Sequence, residues 1–291
     1  MNNAIDKLIT RLRDLAFGRP RIKVVHEKVF NDYEVAPIFI VGTFRSGTTL
    51  LRFMLDSHSR ICCAPESKLL KPLASLYAKD GCMRALRDMG YDESYVRRKV
   101  RELSDCFFVG HMLAQEKARW ADKTPEYVRI LDFIEWLYGP HCKYVLIYRN
   151  GLDVANSMNE NYIEPLDQQK SLMKCFEYWA HDTEIMADWE RRYPRRCYSL
   201  KYEDLCTKTT LLMRELFDFL EEDWEDGVLK WYEKGHVRGH EDIKARRQRG
   251  IKFSFGNYRD WPENLEQELK ERAASLHELI GYDPETLMPS K

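Results

Sequence analysis

The sequence predicts an α/β fold, with a P-loop-type parallel sheet flanked by helices, and three observations predict it. The apolar run Ile38–Val41 leads into a loop bounded by glycines and then into a helix start. A second apolar run, Lys143–Tyr148, is likewise followed by a helical pattern, and a third strand pattern at residues 198–202 precedes another helix. Strands that alternate with helices form parallel sheets whose two faces are covered.

The first strand and its loop form the most informative stretch. Residues 37–49 read P-I-F-I-V-G-T-F-R-S-G-T-T, and residues 50–56 continue with helical apolar spacing. Unpaired backbone N–H groups and the helix dipole favour an anion at such a helix start. We therefore expect a phosphate-binding loop. Its ligand-contacting residues are predicted to be Arg45, Ser46, Gly47, Thr48 and Thr49.

This loop departs from the phosphate loop of nucleotide-hydrolysing enzymes, which reads G-x-x-x-x-G-K-[ST]. Gly42 and Gly47 keep the glycine spacing, but Thr48 stands at the lysine position and the cation is Arg45, inside the loop. A kinase-like phosphotransferase that uses Mg-ATP is therefore disfavoured, because its lysine is missing. It stays open as an alternative, together with a non-catalytic nucleotide-binding module.

Composition limits the class of protein. A chain of 291 residues with 44% hydrophobic and 32% charged residues is long enough for one large domain with a substantial core. A formal net charge of −1 argues against a nucleic acid partner. The eight cysteines are scattered without a C-x-x-C pair, which favours structural thiols and no metal site.

Residues 1–36 are expected to form an N-terminal helix and a lead-in to the domain, which covers residues 37–291. This segment has an apolar stripe with helical spacing and basic residues on its other face. The helix could therefore pack on the domain or contact a membrane surface peripherally, and both alternatives stay open. The stripe is formed by Ile5, Leu8, Ile9, Leu12 and Leu15. We expect neither a signal peptide nor a membrane-spanning segment, and we expect a cytoplasmic protein.

The elements after the loop follow the α/β pattern. Residues 61–64 predict a short strand that ends near Glu66, and a helix follows toward residue 79. Residues 81–119 are predicted to be a helical insertion on the acceptor side, broken at Gly90 and Gly110. A strand then ends at residues 120–125, where Pro125 fits the first position of a helix.

The second half continues the pattern and adds a basic loop. A helix starts near Leu152, and further helices are predicted at residues 168–192, at residues 209–221 and after Pro262. Residues 244–252 contain five cations and no acid, and aromatic residues and a glycine follow. We interpret residues 244–261 as a loop that closes over an anionic ligand.

The phosphate loop resembles a known one. F-R-S-G-T-T-L-L resembles the 5′-phosphosulfate loop of the sulfotransferase family, and residues 45–67 are similar to the protein-tyrosine sulfotransferases and their bacterial relatives. The resemblance implies the sulfotransferase fold and transfer of a sulfuryl group from 3′-phosphoadenosine-5′-phosphosulfate (PAPS), without a metal. The implied partner is a hydroxyl acceptor: a peptide tyrosine, a carbohydrate or a small metabolite. The oligomeric state stays open, a homodimer included.

PAPS also carries a 3′-phosphate, which needs a second anion pocket. Y-V-L-I-Y-R-N-G-L-D-V-A-N-S-M resembles the family's 3′-phosphate motif, which implies phosphate binding by Arg149 and Ser157. An Arg fork suits bidentate phosphate binding. Further cofactor-binding candidates lie at the third strand and in the basic loop: Tyr202, Arg247, Arg249, Gly250 and Ser254.

The resemblance also implies catalytic roles. Glu66 falls at the position of the tyrosine enzymes' base, Arg45 and Lys123 would stabilise the transferring group, and Lys68 would lie near the acceptor. Ala64 and Pro65 depart from the family's pattern before the base, which leaves the acceptor open. Small-molecule sulfotransferases use a His base instead. The candidates for that role match no motif: His58, His111, His236 and His240.

Overall fold

The structure, a computed structural model, describes residues 36–78, 80–162, 168–237, 239 and 249–290. Its centre is a five-stranded, entirely parallel sheet with the strand order β2-β3-β1-β4-β5. The strands are β1 Ile38–Val41, β2 Ile61–Cys63, β3 Arg119–Lys123, β4 Lys143–Tyr148 and β5 Cys197–Lys201. The predicted parallel α/β sheet is confirmed.

Ten α-helices connect and cover the strands in the described residues. They are α1 Thr48–Asp56, α2 Leu70–Tyr77, α3 Asp80–Asp88, α4 Glu93–Ala114, α5 Leu131–Tyr138, α6 Gly151–Tyr162, α7 Gln168–Arg192, α8 Tyr202–Thr207, α9 Thr209–Leu220 and α10 Glu263–Leu279. Short 3₁₀ helices occupy Pro125–Ile130, Gly139–His141, Asp226–Glu233 and Asn257–Asp260.

The sheet separates two apolar layers. Phe39 and Val41 point to the face that packs on α4, α5, α6, α7 and α10, whereas Ile38 and Ile40 point to the face covered by α1, α8 and α9. Successive residues of a strand point to opposite faces, so a strand with two covered faces must be apolar throughout. This explains why β1 is an uninterrupted apolar run.

The register of the sheet positions the site. β1 lies between β3 and β4, and Ile40 is paired with Lys123 and with Val145. The carboxyl ends of these three strands therefore lie side by side at one edge of the sheet, where parallel α/β sheets bind their ligands.

The predicted helix break at Gly110 is wrong, because α4 continues through this residue. A glycine inside a helix costs about 1 kcal/mol relative to alanine. Its neighbours Phe108, Val109 and Met112 are buried against the sheet, and burial of each large apolar side chain contributes about 1.5–3 kcal/mol. Packing therefore outweighs the local preference of Gly110, whereas Gly90 does separate α3 from α4.

Other boundaries differ by smaller amounts. The helix predicted from Pro125 begins as a 3₁₀ helix and becomes α-helical at Leu131, and Tyr202 opens α8 instead of ending β5. Residues 1–35 of the predicted N-terminal helix and lead-in, as well as residues 244–248 of the basic loop, lie outside the described residues. Within the ranges that the structure describes, no helix has both the length and the hydropathy to cross a bilayer.

Candidate active site

The predicted site residues lie at the carboxyl edge of the sheet. The phosphate loop follows β1, Glu66 follows β2, Lys123 ends β3, Arg149 follows β4 and Tyr202 follows β5. Loops at this edge of a parallel sheet converge on one crevice. Residues far apart in the sequence are therefore brought together by the strand order alone.

Steric contacts require glycine at both ends of the phosphate loop. A Cβ at Gly42 would lie 2.6 Å from Ile147 Cγ2, and a Cβ at Gly47 would lie 2.5 Å from Tyr202 Cδ2. Gly47 also has a φ of 91°, and Arg45 adopts the left-handed region with a φ of 71°. The backbone can make this tight turn into α1 only because both glycines lack a side chain.

The two predicted anion pockets share a hydrogen bond. Arg45 Nε donates to Ser157 Oγ over 2.9 Å, which joins the phosphate loop to α6. Ser46 and Thr48 are buried beside Arg45 in the same loop. The residues assigned to the 5′ and the 3′ pocket thus belong to one continuous site.

Arg149 connects the phosphate loop to the basic loop. Its Nη1 donates to Arg45 O at 2.7 Å and its Nη2 donates to Ser254 O at 2.8 Å. The guanidinium carbon lies 4.3 Å from the centre of the Tyr202 ring. Arg149 Nε is buried and has no hydrogen-bond partner among the described residues. This unused donor fits an anionic ligand such as a phosphate.

The described part of the basic loop is anchored to α6 and α8. Both carboxylate oxygens of Asp153 accept backbone N–H groups, from Gly256 at 3.0 Å and from Asn257 at 2.9 Å. Tyr202 donates its hydroxyl to Lys252 O at 3.1 Å. Burial raises the pKa of Asp153 above its usual value. Together these contacts hold residues 252–257 against the sheet edge.

The other basic-loop candidates differ in exposure. Arg249 is exposed, Gly250 is half-buried, and Ser254 is placed by Arg149 through its carbonyl oxygen. Arg247 lies outside the described residues.

Glu66, Lys123 and Thr49 come together at the start of α1. Lys123 is fully buried, and its Nζ donates to Glu66 Oε1 over 2.5 Å and to Thr49 Oγ1 over 3.4 Å. A carboxylate and a cation in a site with little water interact strongly with any charge that develops between them. The pair can therefore serve proton transfer and charge stabilisation together.

Lys68 lies at the rim of the same site. Its side chain is 53% exposed, and its Nζ is 3.9 Å from Glu126 Oε2. Exposed pairs of this length contribute little to stability. The ammonium group of Lys68 is therefore accessible to a ligand, two residues after Glu66.

Two of the candidate histidines, His58 and His236, have hydrogen-bond partners near the carboxyl end of α1. His236 Nδ1 lies 2.6 Å from Asp56 Oδ2, at the carboxyl end of α1, and His58 Nε2 lies 2.9 Å from Asp223 O. The phosphate loop is at the opposite end of this nine-residue helix, a distance of about 12 Å. Burial lowers the pKa of His111 in α4, and His240 lies outside the described residues. His58 and His236 therefore lie away from the phosphate loop.

Two buried charged residues that support the site, Arg52 and Asp122, were not predicted from the sequence. Arg52 is fully buried and its Nε donates to Cys63 O and to Ala64 O, each at 3.0 Å. Asp122 is fully buried beside Lys123 and accepts the Ser67 hydroxyl. The sequence did carry a signal for each: Arg52 is a charged residue among the apolar residues of a predicted helix, and Asp122 is a charged residue in a predicted strand.

Curated relatives carry sulfotransferase names. The chain is 27% identical over 198 residues to protein-tyrosine sulfotransferase A of Caenorhabditis elegans, covering 66% of this chain and 51% of that protein. It is 29% identical over 197 residues to protein-tyrosine sulfotransferase 1 of Danio rerio, covering 66% of this chain and 55% of that protein. The chain therefore spans about half the length of these relatives.

Solved structures share the fold. The sulfotransferase domain of the Synechococcus PCC 7002 olefin synthase superposes with a TM-score of 0.64 at 24% identity, covering 86% of this chain and 96% of that chain. A mouse sulfotransferase complexed with PAP superposes with a TM-score of 0.53 at 16% identity, covering 90% of each chain. At these identities the likeness shows the α/β sulfotransferase fold.

The model of one family, described as the sulfotransferase family, matches residues 37–226. This range includes the phosphate loop, Glu66, Lys123, Arg149 and Ser157, and it covers more than half of the 291 residues. The chain belongs to the sulfotransferase family.

Proposed function

We propose that the protein transfers a sulfuryl group from PAPS to a hydroxyl acceptor by in-line transfer, with Glu66 as the base. The observation that carries this proposal is the contact of Lys123 Nζ with Glu66 Oε1 at 2.5 Å and with Thr49 Oγ1 at 3.4 Å. A base candidate and a buried cation thus meet where the phosphate loop enters α1.

The donor would be held by two groups of residues. The phosphate loop from Arg45 to Thr49 would bind the 5′-phosphosulfate through its N–H groups, and Arg149 with Ser157 would bind the 3′-phosphate. The unused, buried Nε of Arg149 supports the second assignment. Tyr202 at the start of α8 would add a further contact, as would Arg247, Arg249, Gly250 and Ser254 of the basic loop.

The chemistry divides between the donor and the chain. PAPS, when bound, supplies an activated sulfuryl group, and its transfer to the acceptor oxygen leaves adenosine-3′,5′-bisphosphate (PAP). Glu66 would take the proton of the acceptor hydroxyl as that oxygen bonds to sulfur. Lys123 and Arg45 would stabilise the negative charge on the transferring and leaving oxygens. Cations that are already in position before the reaction stabilise such charge effectively. No metal ion has a role in this proposal.

A peptide tyrosine is the acceptor that the comparisons favour, because curated relatives are named protein-tyrosine sulfotransferases. A carbohydrate or a small metabolite would need the same base and cations. Lys68, exposed at the rim, would contact the acceptor in each case. The acceptor-side helices α3 and α4 would then select among these classes.

Binding and transfer together test the proposal. We expect PAP, and not Mg-ATP, to raise the unfolding midpoint by several degrees, since a ligand at 100 times its Kd adds about 2.7 kcal/mol of stability. We also expect sulfur-35 to pass from labelled PAPS to a tyrosine peptide, a phenol or a sugar. A shift with Mg-ATP alone would support a kinase-like enzyme. A shift with PAP without transfer to any acceptor would support a binding module.

A further inference from the structure

The loop that carries Glu66 runs across the carboxyl end of β3. Asp122 and Lys123 are successive residues of this strand, so their side chains point to opposite faces of the sheet. Glu66 contacts Lys123 and the next residue, Ser67, contacts Asp122. Two neighbours in the loop thus contact two neighbours in the strand, one on each face.

Ser67 belongs to a directed chain of hydrogen bonds. Its hydroxyl donates to Asp122 Oδ2 at 2.8 Å and lies 3.0 Å from the Tyr127 hydroxyl. Since the single proton of Ser67 goes to Asp122, Tyr127 donates to Ser67. Tyr127 in turn accepts the backbone N–H of Leu70 at 2.8 Å. Hydrogen bonds that run in one direction strengthen one another.

The backbone between these anchors is strained. Lys68 is not a glycine and adopts a φ of 52°, a conformation that is unfavourable for a residue with a side chain and persists only where the surroundings impose it. The hydrogen bonds of this chain fix the residues on both sides of Lys68, at Ser67 and at Leu70. Without it, the turn would relax and move Glu66.

Arg52 fixes the other side of Glu66. Its donation to Cys63 O and Ala64 O ties the end of β2 to α1, the helix that begins at the phosphate loop. Glu66 is therefore held between Arg52 on one side and Ser67 on the other. Arg52 belongs to α1 and Asp122 to β3, and both elements also contribute residues to the predicted anion site.

We propose that Ser67, Asp122 and Tyr127 form a positioning device that sets the Glu66 carboxylate against Lys123. The inference rests on the proposed role of Glu66 as the base. Buried Asp122 accepts a hydrogen bond from Ser67, and buried Tyr127 donates one to it. Through these two bonds Ser67 fixes the loop that carries Glu66. In this proposal each of the three acts through Glu66.

The test compares Ser67→Ala and Tyr127→Phe with wild type. Ser67 is exposed, so loss of its hydroxyl opens no cavity and the variant should fold. The matched control is Ser75→Ala, since Ser75 is an exposed serine of α2 whose hydroxyl donates only to Lys71 O, at 3.2 Å. Ser67→Thr keeps the hydroxyl and serves as the rescue variant.

Two readouts separate positioning from general destabilisation. With PAPS and a tyrosine peptide we expect kcat to fall about 10- to 100-fold in Ser67→Ala and Tyr127→Phe, because small misplacements of a catalytic group cost that much. The KM for PAPS should stay the same, and Ser67→Thr should recover most of kcat. In crystals with PAP, the contact between Lys123 Nζ and Glu66 Oε1 should be lost in the two variants and kept in the control.

The two proposals can fail separately. If wild type transfers no sulfuryl group to any acceptor, the proposed function fails, whereas the crystallographic contact still tests the positioning. If the contact of Glu66 with Lys123 persists in both variants, and kcat where measurable stays within twofold of the Ser75→Ala control, the positioning proposal is overturned.

Discussion

At the scale of single residues, two buried cations at the sheet edge have different partners. Lys123 faces the carboxylate of Glu66, so its positive charge is largely balanced within the protein. Arg149 donates to the backbone carbonyls of Arg45 and Ser254, which carry only partial charges. Arg149 is therefore better placed than Lys123 to meet an incoming anion, whereas Lys123 is paired with Glu66, the proposed base.

This difference predicts the effect of Arg149→Ala on PAP affinity. Hydrogen bonds to charged groups contribute about 1.5–3 kcal/mol, so we expect PAP to bind about 10- to 100-fold more weakly. Calorimetric titration measures the change. The control is Arg191→Ala on α7, whose side chain is 78% exposed and pairs with Asp188. Equal PAP affinity in wild type and Arg149→Ala would remove Arg149 from the phosphate site.

Asp122→Asn should change how stability depends on pH. Burial raises the pKa of Asp122 from 3.8 to about 6. Between these values the folded protein keeps a proton that the unfolded chain has released, so stability falls as pH rises from about 4 to 6. Two pH units correspond to about 3 kcal/mol. The amide does not titrate but still accepts the Ser67 hydroxyl.

Urea unfolding of both proteins from pH 4 to pH 7.5 checks this prediction. The stability of Asp122→Asn relative to wild type should increase across the window and level off above pH 7. Asp132→Asn, at a side chain that is 76% exposed, should show no such trend. A difference between Asp122→Asn and wild type that is constant with pH would contradict the raised pKa.

At the scale of elements, α6 connects the parts of the donor site. Ser157 of this helix accepts from Arg45 in the phosphate loop, and Asp153, one turn earlier, accepts two N–H groups of the basic loop. Asn156 adds a third contact, since Trp261 Nε1 donates to its Oδ1 at 2.8 Å. The basic loop is thus anchored to the helix that follows Arg149.

Asp153→Asn should loosen the basic loop selectively. An amide offers one acceptor oxygen where the carboxylate offers two, so either Gly256 or Asn257 loses its partner. We expect backbone N–H groups of residues 252–258 to exchange with deuterium faster than in wild type, while exchange in residues 42–51 stays unchanged. PAP should also dissociate several-fold faster. Asp188→Asn on α7 is the control, and equal exchange in Asp153→Asn and wild type would contradict the anchoring role.

Local patterns predicted the elements that depend on burial. The strands β1 and β4 were predicted from apolar runs, since both layers of the core cover them, and the helices α1 and α7 were predicted from apolar spacing, since each packs into one layer. The break predicted at Gly110 was wrong because the residues around it are buried against the sheet, and this packing is not visible in the local sequence. The Ser67–Asp122–Tyr127 chain escaped prediction because it joins residues 55 and 60 positions apart, and only the pairing of β2 with β3 brings them together.

At the scale of the whole molecule, the strand order concentrates the chemistry at one edge. The sheet places the ends of β3 and β4 on either side of β1, so Lys123 and Arg149 flank the phosphate loop. Although the net charge of the chain is −1, two buried cations thus lie at the edge where PAPS is proposed to bind. Helices α3 and α4, which are proposed to select the acceptor, follow Glu66 in the chain.

The transfer rate of Glu66→Gln tests the proposed mechanism most directly. Transfer of sulfur-35 from PAPS to the best acceptor is compared in wild type, Glu66→Gln and the control Glu268→Gln, at an exposed residue of α10 that pairs with Arg272. Loss of a general base should lower kcat about 10²- to 10⁴-fold, while the affinity for PAP stays near that of wild type. Near-normal turnover by Glu66→Gln would contradict the assignment of Glu66 as the base.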